Sequence, residues 1–174
     1  MEHSERGNMR KLIFALVVAV AVVPAAFAGT GTSPNASQQC VALRTGMGTS
    51  SFKQTYGTNA NKSNAFGRCV SKIAAADAQA TTNAASACRT ERSADPTAFK
   101  AKYGTNRNKS NAFGNCVSQK AQATEQTEQQ ATINAARACR TEQKADPAAF
   151  KAKYGTNANK SNAFGKCVSQ KAHA

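Results

Sequence analysis

Hydrophobic residues are sparse along the chain and recur in a pattern that appears three times. Residues 56–71 have the sequence YGTNANKSNAFGRCVS, and residues 103–118 and 154–169 repeat it with differences at only two positions. In the second copy, Phe113, Cys116 and Val117 have the spacing that places them on one face of a helix. The pattern predicts small helical units with narrow buried faces.

Polar and helix-breaking residues predict where the helices of repeats 2 and 3 begin and end. Asp95 and Pro96 suit the N-cap and the first position of a short helix, and their counterparts occur in repeat 3. Gly104 is expected to end that helix in a left-handed conformation, and a further helix is expected from about Asn108. Because residues 108–144 lack proline, we expect one long helix that joins repeats 2 and 3.

Repeat 1 carries weaker signals. Ser37 is expected to cap a helix over residues 38–45, which Gly46 ends, and a second short helix is expected over residues 51–56. The alanine-rich connector that follows lacks glycine and proline, so helix is expected to continue into repeat 2.

The expected fold is therefore all-α, with three small disulfide-bridged helical repeats in tandem and helical connectors between them. Each repeat has a long helix, a short helix and a long helix. The repeats are assigned to residues 38–75, 82–121 and 131–174. We expect a linear string in which each repeat contacts its sequence neighbours.

The first 28 residues have the pattern of a signal peptide. Arg10 and Lys11 precede an apolar run at residues 12–23, and Ala26-Phe27-Ala28 forms a cleavage site. The apolar run is shorter than the roughly 20 residues that span a bilayer, so no transmembrane span is expected in the mature chain. A retained N-terminal anchor is the alternative. The chain is expected to be secreted or held in the cell envelope, with a flexible leader at residues 29–37.

Disulfide bridges are expected to compensate for the small number of hydrophobic residues that could form a core. Leu, Ile, Val and Phe number 13 of the 146 residues after position 28, well below the roughly 20% expected for a packed domain. Six cysteines allow fifteen pairings, and the repeat favours one bridge within each unit. Each such loop would restrict the unfolded chain by roughly 3.6 kcal/mol. The predicted pairs are Cys40–Cys69, Cys88–Cys116 and Cys139–Cys167.

The motifs give little support for catalysis or cofactors. The cysteine spacing does not fit a zinc site, and the repeats lack the glycines of a phosphate loop and the carboxylates of a calcium loop. The only histidines are His3 and His173, so acid–base chemistry would fall to Lys or Tyr. We predict no metal, no cofactor and no enzyme activity.

The Asn-Lys-Ser corner of each repeat is the candidate binding element, because an Asn amide, a Lys and free backbone N–H groups at a helix start can hold an anion. Two alternatives are that Asn and Thr only shape the helix start, and that the Asn residues are glycosylated. The candidate anion-binding residues are Asn61, Lys62, Ser63, Asn108, Lys109, Ser110, Asn159, Lys160 and Ser161.

Charge indicates the class of partner. The formal net charge is +14, and it is +13 without residues 1–28, which hold three of the 23 basic and two of the nine acidic residues. The positive charge is spread over all repeats and favours anionic partners: wall polymers, acidic polysaccharide or extracellular nucleic acid. A secreted enzyme of unknown reaction and a passive envelope spacer are the alternatives. The oligomeric state is left open.

The repeated YGTNxNKSNAFGxCVS sequence resembles a motif of exported bacterial proteins of unknown function, in which it often occurs in tandem. The resemblance covers the three repeats and not the leader. It implies export and implies no particular activity.

Overall fold

A computed structural model describes residues 34–174 as seven helices and the loops between them. The predicted signal peptide and residues 29–33 of the predicted leader lie outside the described residues. The helices are α1 (Ala36–Met47), α2 (Thr49–Tyr56), α3 (Ala65–Ala94), α4 (Pro96–Tyr103), α5 (Ala112–Ala145), α6 (Pro147–Tyr154) and α7 (Ala163–Ala172). The all-α fold with three bridged helical units is confirmed.

The first helix differs from the prediction at both ends. Asn35 and not Ser37 is the N-cap: its side chain accepts the Gln38 N–H at 3.0 Å, and the Gln38 side chain accepts the Asn35 N–H at 3.0 Å. Helix α1 therefore begins within the predicted flexible leader. Gly46 does not end it: α1 continues to Met47, and the Ile133 side chain packs against Gly46, 2.6 Å from where a Cβ would stand.

The short helices α4 and α6 begin as predicted, whereas α2 begins at Thr49, two residues before its predicted start. Asp95 caps α4 by accepting backbone N–H groups of Thr97 and Ala98, and Pro96 is the first helical residue. Gly104 has φ −77° and is extended, so the predicted left-handed cap is wrong. Glycine is required for space: a Cβ would lie 2.7 Å from the carbonyl oxygen of Lys100.

Two long helices connect the repeats, as predicted. Helix α3 runs from repeat 1 into repeat 2, and α5 runs from repeat 2 into repeat 3. Helix α5 begins at Ala112 and not near Asn108, because side-chain hydrogen bonds hold the preceding residues in a loop. The three predicted disulfides are formed, with Cα–Cα distances of 6.0, 6.1 and 6.0 Å.

The repeats do not form a linear string. Helices α3 and α5 pack side by side, and the Cys88–Cys116 bridge joins the end of one to the start of the other. Repeat 3 is thereby folded back onto repeat 1, and the two share one hydrophobic core, whereas repeat 2 has a small core of its own. A unit of about 40 residues buries too little surface to be stable alone, and merging two cores relieves that shortage.

Polar contacts secure the docking of repeat 1 on repeat 3. The Arg140 guanidinium of α5 donates to the Ser51 hydroxyl, at 3.1 Å from Nε, and to the Met47 carbonyl at the end of α1. Gln129 of α5 donates to the Gln39 carbonyl at 3.3 Å.

Along residues 34–174, no helix is both long and apolar enough to cross a membrane.

Candidate functional site

The residues predicted to bind anions lie in three equivalent loops, at 57–64, 104–111 and 155–162. Each loop connects a short helix to the next helix, and we call them the lysine loops. Their hydrogen bonds are nearly the same, so the loop of repeat 2 represents all three.

A lysine in left-handed backbone conformation stands at the corner of each loop. The φ angles are 57° at Lys62, 57° at Lys109 and 55° at Lys160. This conformation costs a residue with a side chain about 1–2 kcal/mol. The Lys109 ammonium donates to the Gly104 carbonyl at 2.9 Å, which offsets part of that cost. Because an ammonium has three N–H donors, the fixed group can still bind an anion.

The Asn and Ser side chains of the loop are used internally. Asn108 accepts the Ser110 N–H at 3.2 Å, and the Asn106 amide donates to the Ser110 hydroxyl at 2.8 Å. Asn111 accepts the Thr105 N–H at 3.0 Å. Asn and Ser therefore shape the turn, and the capacity to bind an anion is concentrated on the lysine. Anion binding at these loops stays a prediction.

A glutamate cluster in repeat 2 was not predicted as a unit. The two oxygens of the Glu91 carboxylate lie 2.8 Å from Lys102 Nζ and 3.2 Å from Lys120 Nζ, and the Tyr103 hydroxyl donates to it at 3.1 Å. The hydrogen bond from Lys102, assisted by those from Lys120 and Tyr103, lowers the pKa of Glu91 to about 2.

Repeat 3 has the same glutamate cluster. The Glu142 oxygens lie 2.8 Å from Lys153 Nζ and 3.3 Å from Lys171 Nζ, and Tyr154 donates to the carboxylate at 3.0 Å. The pKa of Glu142 is lowered, chiefly by the Lys153 hydrogen bond. The identical spacing of these residues in the two repeats is the sequence signal that could have revealed the cluster.

Repeat 1 lacks this cluster. Leu43, Thr55 and Ile73 occupy the positions of the glutamate and the two lysines, whereas the tyrosine is retained as Tyr56. The ring of Tyr56 consequently lies among apolar side chains, and burial raises the pKa of Tyr56 to about 12. The loss of all three charges gives repeat 1 the apolar face that packs against repeat 3.

The carboxylates of the described residues all have internal roles or share one location. Asp95 and Asp146 cap helices, and Glu91 and Glu142 form the glutamate clusters. The other three line a single pocket: Asp77, Glu125 and Glu128. Exposed cations outside the lysine loops and glutamate clusters occur in every repeat: Lys53, Arg68, Lys72, Lys100, Arg137, Lys144, Lys151 and Lys166.

Within residues 34–174, no three His, Cys, Asp or Glu side chains are grouped so that they could hold a metal ion. Comparison with protein-family models, curated proteins and solved structures finds no match to this chain. Any function must therefore be argued from the loops, the charge distribution and the pockets of the molecule itself.

Proposed function

We propose that the protein is exported, is not an enzyme, and binds anionic polymers through its repeated basic surfaces. Wall polymer, acidic polysaccharide and extracellular nucleic acid share the relevant chemistry. The observation that carries the proposal is the placement of the seven carboxylates after residue 28: two cap helices, two belong to the glutamate clusters and three line one pocket. The rest of the surface is left with uncompensated positive charge, which attracts polyanions by counterion release.

The lysine loops supply the most ordered of these cations. Lys62, Lys109 and Lys160 are each tied to a glycine carbonyl at 3.0, 2.9 and 3.0 Å. A cation whose side chain is already ordered loses less conformational entropy when it binds. A polymer that reaches more than one repeat binds more tightly, because the first contact raises the effective concentration of the polymer at the next repeat.

The disulfides support export. All six cysteines are paired, and such bridges persist in oxidising compartments outside the cytosol. Small domains that cannot build a sufficient hydrophobic core commonly depend on bridges there.

The proposal is tested by titrating the full mature chain into heparin and into duplex DNA at several salt concentrations. If all three loops contact phosphate, the plot of log K for duplex DNA against log salt should have a slope of about −2.7 or steeper. Weak binding that does not depend on salt would reject the proposal and favour the passive spacer.

Two triple variants with the same net charge separate the loops from general charge. The first is Lys62→Gln, Lys109→Gln and Lys160→Gln. The matched control changes one exposed lysine on each short helix: Lys53→Gln, Lys100→Gln and Lys151→Gln. The loop triple should weaken heparin binding at least about fivefold more than the control triple, a difference of about 1 kcal/mol. Equal losses would show that only total charge matters.

A further inference from the structure

A pocket of about 140 Å³ lies between repeat 1 and repeat 3. Its floor includes Leu43 of α1, Ile73 of α3, and Val168 and Ala172 of α7. An apolar cavity of about 150 Å³ is large enough to bind benzene. The pocket can therefore accept an aliphatic group of about six non-hydrogen atoms.

Tyr56 contributes a hydroxyl that lacks a partner. In repeat 2 the equivalent Tyr103 hydroxyl donates to Glu91, but Leu43 occupies that position in repeat 1. Tyr56 is 7% exposed, and none of the hydrogen bonds within residues 34–174 involves its hydroxyl. Tyr56 and Leu43 both line the pocket. No buried side-chain nitrogen or oxygen within residues 34–174 lacks a partner, so this hydroxyl reaches solvent and is available to a ligand.

The charged side chains that line the pocket are mostly acidic. Its carboxylates, three of the seven after residue 28, are those of Asp77, Glu125 and Glu128. Burial, followed by the charges of Asp77 and Glu128, raises the pKa of Glu125. The other charged or titratable groups in the lining are Lys72 and His173, and Gln39 donates to the Asp77 carboxylate at 3.0 Å. The lining therefore has an excess of negative charge, on a protein whose surface is otherwise positive.

We infer that this pocket, the Tyr56 pocket, binds a small amphiphilic organic cation, namely a primary ammonium on a short aliphatic body. The aliphatic body packs on Leu43, Ile73 and Val168, and the ammonium faces the carboxylates and donates to the Tyr56 hydroxyl. The positive field of the remaining surface repels cations, so binding is confined to this pocket. The ligand charge is opposite to that of the polyanion partner, and the lysine loops take no part.

The test is an NMR titration of the isotope-labelled full mature chain at pH 7 with pentylammonium chloride and, separately, with 1-pentanol. Both probes have six non-hydrogen atoms, so they differ mainly in charge. The amine should bind with a Kd about two- to fivefold lower, as expected for a partly exposed ion pair. The amide chemical shifts of Ile73, Gly165 and Ser169 should change during the titration. The amide shift of Gly114, in the equivalent helix of repeat 2, should stay the same.

Variants distinguish the pocket from a general charge effect. Glu125→Gln should bring the Kd of pentylammonium close to that of pentanol, with Glu128→Gln as a second variant in case the first reduces helicity. Tyr56→Phe should weaken amine binding at least about threefold, comparable to the loss of one modest hydrogen bond. Tyr103→Phe is the matched control and should leave the Kd of pentylammonium unchanged. Equal Kd values for the two probes in the wild-type chain, or shifts spread over the surface, would overturn the inference.

Discussion

Gly165 of α7 lies against the backbone of Thr55 in α2: a Cβ on Gly165 would stand 3.1 Å from the Thr55 carbonyl oxygen. The equivalent glycines, Gly67 and Gly114, would have no atom within 4 Å of such a Cβ. Glycine in a helix is less favourable than alanine. Of these three positions, only Gly165 has a tertiary contact that explains why glycine is present. The contact lets repeat 1 approach repeat 3 closely.

Replacing each of the three glycines with alanine should therefore change the free energy of unfolding by different amounts. Gly67→Ala and Gly114→Ala should each raise the free energy of unfolding by about 0.5–1 kcal/mol, because alanine is the better helix former. Gly165→Ala should give a smaller gain or a loss, since the methyl group presses on backbone that cannot easily move. Urea unfolding of the three variants measures this. An equal gain at all three positions would contradict the close approach.

The tyrosines should also differ, because only two of them have hydrogen-bond partners in the glutamate clusters. Tyr103→Phe and Tyr154→Phe each remove a bond to a carboxylate and should lower the free energy of unfolding by about 1 kcal/mol. Tyr56→Phe removes a hydroxyl that has no partner among residues 34–174, so it should be neutral or stabilising. Thermal unfolding of the three variants provides the comparison, and a clear loss at Tyr56 would argue against the apolar setting of its ring.

Acid should weaken the glutamate clusters. The pKa of Glu91 is lowered from 4.5 to about 2, and that of Glu142 shifts in the same direction. Between pH 4.5 and 2 the unfolded chain binds more protons than the folded chain, so stabilisation that is present above pH 4.5 is lost as the pH falls towards 2.

The measurement is the urea midpoint from pH 7 to pH 2 for the wild-type chain and for the double variant Glu91→Gln, Glu142→Gln. The wild-type midpoint should fall more steeply below pH 4.5. Parallel curves for the two proteins would show that the clusters add nothing to acid stability.

Repeat 2 should depend most on its disulfide. Its buried core contains only Cys88, Phe99, Tyr103, Ala112 and Cys116, whereas repeats 1 and 3 share a larger one. Replacing Cys88 and Cys116 with serine restores roughly 3.6 kcal/mol of chain entropy to the unfolded state. Hydrogen exchange should then show loss of protection in α4 before any other helix.

The control for this prediction is the same replacement at Cys139 and Cys167, in a repeat that shares its core. Helix α6 should keep more protection in that variant than α4 keeps in the first. Similar exchange in the two variants would mean that the shared core gives repeat 3 no advantage.

The starts of the short helices in repeats 2 and 3 were predicted correctly because they depend on near neighbours, whereas the Ser37 cap, the Gly46 helix end and the left-handed Gly104 cap were wrong. Asp95 and Pro96 start α4 as expected, since capping involves residues two and three positions away. The lysine loops were predicted less well: a helix was expected from about Asn108, whereas the loop continues to Asn111, and the left-handed Lys109 and its bond to Gly104 were not predicted. Left-handed conformation is uncommon for a residue with a side chain, so no propensity indicates it.

The sequence by itself determined the all-α class, the order of long and short helices and the pairing of the cysteines, because each follows from local periodicity or from the repeat. Only the tertiary structure decided that repeat 3 packs on repeat 1, that Gly165 has a neighbour which Gly114 lacks, and that the Tyr56 pocket exists. Those features depend on contacts between residues far apart in the chain. The sequence that the repeats share cannot show which two copies will pack together. The long helices α3 and α5 bring repeats 1 and 3 side by side, and the apolar Leu43 and Ile73 of repeat 1 fit that contact.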